Sequence, residues 1–186
     1  PKVRFVLKNE TEPGKFETFV YFYENGIADY VQELANGSEL HPVHYAETER
    51  RGRDREDLPE YKVRLQVAFC FTNQGNHISY FHNSSFLEYG GSPEKAVKSA
   101  FVSALDAYLR QNNKYAKNAS KILFSDIAEN LILVSSSFST MTSYQNQTKK
   151  AITNKFIQEA MTEFLRSTLE VYFIENRQEA DKIAER

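Results

Sequence analysis

Apolar and polar residues change rhythm several times along this chain, and each change marks an expected element. Val3-Arg4-Phe5-Val6-Leu7-Lys8 and Phe16-Glu17-Thr18-Phe19-Val20-Tyr21-Phe22-Tyr23 read as two strands joined by the Pro13-Gly14 turn. Glu24-Asn25-Gly26 breaks the second strand. Ile27, Tyr30, Val31 and Leu34 then recur at helical spacing up to a stop signal at Gly37, which predicts a short amphipathic helix over residues 26–36. Val43-His44-Tyr45-Ala46 opens another strand, and the almost wholly charged stretch from Glu47 to Glu60 reads as a solvated hairpin tip. Tyr61-Lys62-Val63-Arg64-Leu65-Gln66-Val67 alternates cleanly and continues through Phe71. Asn73-Gln74-Gly75-Asn76 is a turn, and Ile78-Ser79-Tyr80-Phe81 begins a return strand.

The second half is more helical. Gly90-Gly91 reads as a flexible joint. Ser92-Pro93-Glu94 has the chemistry of a helix start: a hydroxyl to cap, a proline at the first position and an acid in the first turn. Val97, Phe101, Leu105 and Tyr108 carry that helix to about Asn112. Asp126-Ile127-Ala128-Glu129 resembles a capping-box turn, and Leu131-Ile132-Leu133-Val134 is an apolar strand followed by a Ser/Thr-rich segment from Ser135 to Ser143. A polar loop, Tyr144-Gln145-Asn146-Gln147-Thr148-Lys149-Lys150, comes next. Asn154 can then cap a last helix of about residues 154–186, striped by Ile157, Met161, Phe164, Leu165, Leu169 and Tyr172.

Composition narrows the classes. The 186 residues suit one domain spanning residues 1–186, and 41% apolar residues suffice for a core. A net charge of −2 gives no global attraction to nucleic acid, so any DNA contact is local or belongs to a larger assembly. The single cysteine, Cys70, excludes an internal disulfide, points to a cytoplasmic location and sits in an apolar run as a buried structural thiol. No apolar run has the length of a membrane span, and no signal peptide is expected. The chain opens in a strand-like segment and ends inside a charged helical pattern, as expected for a piece of a longer protein.

Candidate chemistry is sparse. His41-Pro42-Val43-His44 suggests a metal, but a spacing of three on a strand puts the two rings on opposite faces, so no metal site is expected. No Gly-x-Ser-x-Gly or phosphate-cradling glycine loop is present. Arginines 50, 51, 53 and 55 could touch DNA phosphates, though the interleaved acids oppose tight contact. That leaves Gln147 and Lys149. They lie between a buried strand and a helix start, where backbone N–H groups and an ammonium favour phosphate. A lysine can neutralise a terminal phosphate as charge builds during phosphoryl transfer, and a glutamine amide can donate beside it. No acid pair for Mg²⁺ and no adenine pocket accompanies them, so another domain must hold any nucleotide.

Five pieces in order then carry a resemblance. They are the block from Tyr23 to Leu34, with Glu24-Asn25-Gly26-Ile27 at its start; His41-Pro42-Val43; Gly90-Gly91 before the long helix; Ser125-Asp126-Ile127; and Gln147-Thr148-Lys149. Together they resemble the transducer domain of bacterial type IIA topoisomerase B subunits, those of DNA gyrase and topoisomerase IV. The resemblance implies an α/β fold of two layers, ribosomal protein S5 domain 2-like, with a mostly four-stranded sheet backed by helices and a long C-terminal helix. It also implies that Lys149 is catalytic, reaching the γ-phosphate of ATP bound in a preceding domain. Gln147 would contact the same phosphate, as would Thr148, which would also shape the loop. ATP and Mg²⁺ would be held by domains outside the chain, which alone should not hydrolyse ATP. The partners implied are a transported DNA duplex, the topoisomerase A subunit and a second copy of the B subunit. The family's Gly-Gly-Thr-His is here Gly90-Gly91-Ser92-Pro93, and Tyr144 and Asn146 replace an aromatic and a glycine in the loop. Two other readings are the middle domain of a MutL-like repair ATPase and a non-enzymatic DNA-contacting module using Arg50–Arg55. The Asn25-Gly26-Ile27 block and His41-Pro42-Val43 speak against the first.

Overall fold

A computed structural model describes residues 4–115, 117 and 120–184. Val3 of the expected first strand, and Glu185 and Arg186 at the end of the expected last helix, lie outside the described residues. The hairpin at the start is present, as β1 (Phe5–Glu12) and β2 (Lys15–Tyr21), pairing Phe5 with Tyr21 and turning at Pro13-Gly14. Both of its faces are exposed. Next comes α1 (Ile27–Ala35). Gly26 caps it at φ +64°, a left-handed value that favours glycine, and the Asp29 carboxylate accepts the Asn25 N–H at 2.8 Å, so the Asn25-Gly26 pair sets the entry of the chain into the helix.

The main sheet holds four long strands and one of two residues, in the order β3 (His44–Gly52), β4 (Tyr61–Phe71), β7 (Leu131–Ser139), β5 (His77–His82) and β6 (Ser85–Phe86). This is the mixed α/β layer expected, with three corrections. First, the charged run is not all hairpin tip: β3 continues to Gly52, opposite Tyr61, and only residues 53–60 form the tip. An edge strand tolerates charges on its solvent side, and Glu49 and Glu47 there pair with Lys62 and Arg64 of β4. Second, β5 does not return along β4. It lies parallel to β7, which inserts between them and pairs antiparallel with β4. The apolar alternation fixes which residues form strands but carries no information on which strand lies beside which. Third, β7 runs on through the serines to Ser139, and Ser135, Ser136 and Ser137 are buried.

One face of the sheet carries Val63, Leu65, Val67, Phe69, Leu131 and Leu133. They pack under α2 (Ser92–Gln111) and α4 (Lys155–Glu175) in one core with Phe101, Leu105, Met161 and Leu165. Ala68, Cys70, Ile132 and Val134 face the other way and pack under α1. The short α3 (Phe124–Ala128) precedes β7; the expected capping turn at Asp126–Glu129 is shifted by three residues, since Asp126 lies inside the helix and accepts the N–H of the capping residue Leu123 at 2.8 Å, while Glu129 follows the helix end.

The last helix is two helices. α4 ends at Glu175, Asn176 takes a non-helical conformation, and α5 (Arg177–Ala184) follows. The Asn176 N–H and side-chain amide both donate to the Tyr172 carbonyl, while the Asn176 carbonyl accepts the N–H groups of Glu179 and Ala180. One residue thus ends one helix and starts the next. Tyr172 and Tyr108 donate their hydroxyls to Glu179 at 2.7 Å and Asp181 at 2.8 Å, which ties α5 to the body. No helix among the described residues is long and apolar enough to cross a membrane.

Candidate functional site

Gln147, Thr148 and Lys149 sit at the tip of a small hairpin built by residues 143–153. The Thr153 N–H donates to the Ser143 carbonyl at 2.8 Å, Tyr144 and Ile152 form an antiparallel bridge, and the Gln145 N–H donates to the Ala151 carbonyl at 2.9 Å. Beyond that rung the Lys149 N–H closes a turn onto the Asn146 carbonyl at 3.2 Å. Lys149 makes the turn with a left-handed φ of +57°, uncommon for a residue with a side chain. Thr148 donates its hydroxyl to the Asn146 side-chain oxygen at 2.5 Å, so it shapes the turn rather than facing outward free. All three side chains are exposed.

The two lysines of the loop differ. Lys150 pairs with Glu88 and lies 5.5 Å from the Tyr89 ring. Lys149 meets no carboxylate among the described residues, and its ammonium lies 5.6 Å from the ring of Tyr144. Of the two, Lys149 is the cation available to an anion from outside.

The return arm of the hairpin is pinned by the segment before α2. Tyr89 N–H donates to the Lys150 carbonyl, and the Ser92 N–H and hydroxyl donate to the Ile152 carbonyl at 2.9 and 3.2 Å. Gly91 is therefore no flexible joint. It is the residue that caps α2, at φ +84°, and it lies directly against Ile152. Ser92, expected to be the cap, instead turns its hydroxyl to the loop.

The outgoing arm is pinned from elsewhere. Asn154 precedes α4 but makes no capping bond; its side-chain oxygen accepts the Ser143 N–H at 2.8 Å and its amide donates to Asp54 at 2.9 Å. Asp54, from the tip after β3, accepts the Phe156 N–H at 2.9 Å and the Tyr61 hydroxyl at 3.0 Å. An acid thus already stands at the start of α4, holding the Phe156 N–H. The expectation that its N–H groups would favour phosphate beside Lys149 is corrected: that end of the helix has its anion. Sequence reading missed Asp54, because one acid in a run of charges carries no signal of its partner a hundred residues on.

Other candidates resolve differently. His41 and His44 converge after all, because His41 lies before the strand; both rings pack on Tyr172, with centroids 5.3 and 5.0 Å away. His41 accepts the Phe71 N–H at Nε2 and donates from Nδ1 to the Pro42 carbonyl, so both nitrogens are used inside the protein. Burial is the main reason that both histidines hold their protons less well than usual. No group of three metal-ligating side chains occurs among the described residues. In the arginine cluster, Arg51 and Arg53 both pair with Glu60, and Arg55 with Asp57. An apolar cleft of about 390 Å³, lined in part by Tyr23, Tyr30, Tyr45 and Phe81, lies on the α1 face of the sheet, away from the loop.

A family profile described as DNA gyrase B matches residues 26–186. Over 184 residues the chain is 28% identical to the DNA gyrase B subunit of Mycoplasmoides gallisepticum, covering 97% of this chain and 28% of that protein. Over 172 residues it is 30% identical to the DNA gyrase B subunit of Metamycoplasma hominis, covering 90% and 26%. The chain thus spans a little over a quarter of the length of these relatives. Its fold is similar to the 43K ATPase domain of Thermus thermophilus gyrase B, with a TM-score of 0.69 at 22% identity over 98% of this chain and 46% of that one. It is also similar to the topoisomerase IV ATP-binding domain of Francisella tularensis, with a TM-score of 0.68 at 20% identity over 93% and 44%.

Proposed function

The chain belongs to the DNA gyrase B family, and we propose that residues 1–186 serve there as the transducer domain, touching the terminal phosphate of ATP held by another domain. The observation that carries this reading is the contrast between Lys149 and Lys150. Both lie on one braced hairpin, yet only Lys149 is exposed at the tip without an acid partner among the described residues.

The residues present fit an edge contact to a nucleotide and no more. Around Lys149 there is no glycine cradle, and the described residues offer no acid cluster for Mg²⁺. ATP would supply the phosphoryl group, and with Mg²⁺ would be bound outside this chain. Lys149 would place its ammonium on the γ-phosphate oxygens, where negative charge is densest, and Gln147 would donate its amide beside it. Thr148 would hold the turn. While that anion is present, the two side chains tie this domain to the ATP-binding one. Once it has left, they lose their partner and the domain can rotate as a rigid body. α4 starts at the foot of the same hairpin and, at 21 residues, gives a lever of roughly 30 Å. Its break at Asn176 makes α4, rather than one helix to residue 186, the stiff element. In the whole protein this motion would serve passage of a DNA duplex, with the A subunit and a second copy of the B subunit as partners. Membership of the gyrase B family speaks against the MutL-like alternative.

The test is Lys149→Ala in the full-length protein. ATP turnover should fall about 10²–10³-fold with the KM for ATP little changed, the scale of a lost transition-state donor. Lys149→Arg should not restore it, because a planar fork delivers its charge differently from a compact ammonium. Unchanged turnover in Lys149→Ala would overturn the assignment.

A further inference from the structure

We infer that Asp54 is a positioning residue for the Lys149 turn, acting through the side chain of Asn154. This rests on the phosphate-contact reading of that turn. A carboxylate only accepts hydrogen bonds, so the Asn154 group facing Asp54 must be its NH₂. The Asn154 oxygen is then forced to the other side, where it accepts the N–H of Ser143, the first residue of the outgoing arm. Asn154 is 2% exposed, so no solvent replaces either bond. With the amide turned over, an NH₂ would face the Ser143 N–H, donor against donor. Asp54 therefore chooses the orientation of Asn154, and that orientation fixes the outgoing arm. The return arm is held independently through Gly91 and Ser92 on Ile152. The tip bearing Lys149 is set by both arms, which backbone hydrogen bonds also join, so loosening the Ser143 end shifts the tip slightly while the hairpin stays attached.

Asp54 also accepts the Phe156 N–H and the Tyr61 hydroxyl, so its removal would disturb α4 as well. Asp54→Asn separates the two roles. Its remaining oxygen can still accept from Phe156 and Tyr61, while its new NH₂ faces the NH₂ of Asn154. If Asn154 turns over to accommodate it, Ser143 loses its acceptor. The reciprocal double variant Asp54→Asn/Asn154→Asp rebuilds the chain of bonds with donor and acceptor exchanged.

ATP turnover of the full-length protein, with thermal unfolding of each variant, tests this. Asp54→Asn should lower kcat about 10-fold, the cost of a small misplacement of a contacting group, with the KM for ATP within about twofold. The double variant should regain most of that loss. In a Lys149→Ala background, Asp54→Asn should cost nothing further, because the group it positions is gone. The inference is overturned if Asp54→Asn lowers the melting temperature without lowering kcat. It is also overturned if the double variant regains the melting temperature but not kcat, or if the loss persists undiminished in the Lys149→Ala background. Should Lys149→Ala leave turnover intact, the phosphate-contact reading falls and this inference with it. Should Lys149→Ala abolish turnover while Asp54→Asn leaves it unchanged, only the positioning role fails.

Discussion

Gly91 lies so close to Ile152 that a Cβ on Gly91 would sit 2.2 Å from the Ile152 carbonyl oxygen. That oxygen belongs to the backbone and accepts two bonds from Ser92, so it cannot move aside. Gly91 also has φ +84°, which a side chain disfavours. Gly91→Ala should therefore destabilise the fold by about 2–4 kcal/mol, from strain and overlap together. The neighbouring Gly90→Ala should be costly for the same two reasons, because its Cβ would lie 2.5 Å from the Cβ of Glu94, which no rotamer change moves, and its φ of +59° is left-handed as well. Urea unfolding should show both variants destabilised by about 2 kcal/mol or more; a Gly91→Ala variant as stable as the unmodified chain would mean that the contact with Ile152 is unimportant.

Lys149 offers a separation of stability from function. Its φ of +57° is a strain that glycine would relieve. Lys149→Gly should raise the stability read from urea unfolding, by about 1 kcal/mol at most. It should also lose the turnover of the full-length protein as Lys149→Ala does. A variant that is more stable and less active would show that the turn keeps its strained backbone for the sake of the ammonium. Lower stability in Lys149→Gly than in Lys149→Ala would contradict this.

Why the chain reveals some of this and hides the rest follows from the range of the forces. Val97, Phe101, Leu105 and Tyr108 are buried in α2 as their spacing predicts, and Tyr61 to Phe71 form β4 as their alternation predicts, because periodic burial is a local signal. The tip Gln147–Lys149 was legible as a polar loop between apolar elements. Its bracing was not: Asp54, Asn154 and Tyr61 join segments far apart in the chain, and nothing local to Asp54 marks it off from Glu56 or Asp57. The insertion of β7 between β4 and β5 was hidden for the same reason. So was the end of α4, since Asn176 lies within a pattern of charges and apolar residues that continues smoothly past it. Gly90-Gly91 was visible as a pair, but whether glycines loosen a chain or let two segments touch depends on what lies opposite.

Cys70 should serve as an internal reporter of unfolding. It is fully buried between the sheet and α1, and burial pushes its thiol up to about 12. The thiolate is the reactive form, so a thiol reagent at pH 8 finds almost none of it in the folded chain. Labelling should proceed at the rate at which the chain opens and should become immediate in urea, to one label per chain. Rapid labelling of the folded chain would show that α1 leaves the sheet far more readily than its packing implies.

His82 sets the direction of acid sensitivity. It is fully buried in β5, with one ring nitrogen 2.8 Å from the Ser137 hydroxyl and the other 2.8 Å from that of Thr142, and burial pushes it down to about 4. In the unfolded chain an imidazole takes its proton near pH 6.5, as roughly expected for a free histidine. Below that pH the unfolded state binds a proton that the folded state refuses, so stability falls as pH drops. The slope approaches about 1.4 kcal/mol per pH unit for this site, and the loss totals about 3 kcal/mol by pH 4. His41 and His44 are shifted the same way and add to the slope. Carboxylates such as Glu47, held near 2 chiefly by its hydrogen bond from Arg64, contribute chiefly below about pH 4.5, where the unfolded acids become more than half protonated. The interval from pH 6.5 to 4.5 therefore belongs to the histidines. Urea midpoints across it should fall steeply for the unmodified chain. His82→Gln should be less stable at pH 7 yet lose less per pH unit, by about one proton. A slope unchanged by that substitution would place the acid sensitivity elsewhere.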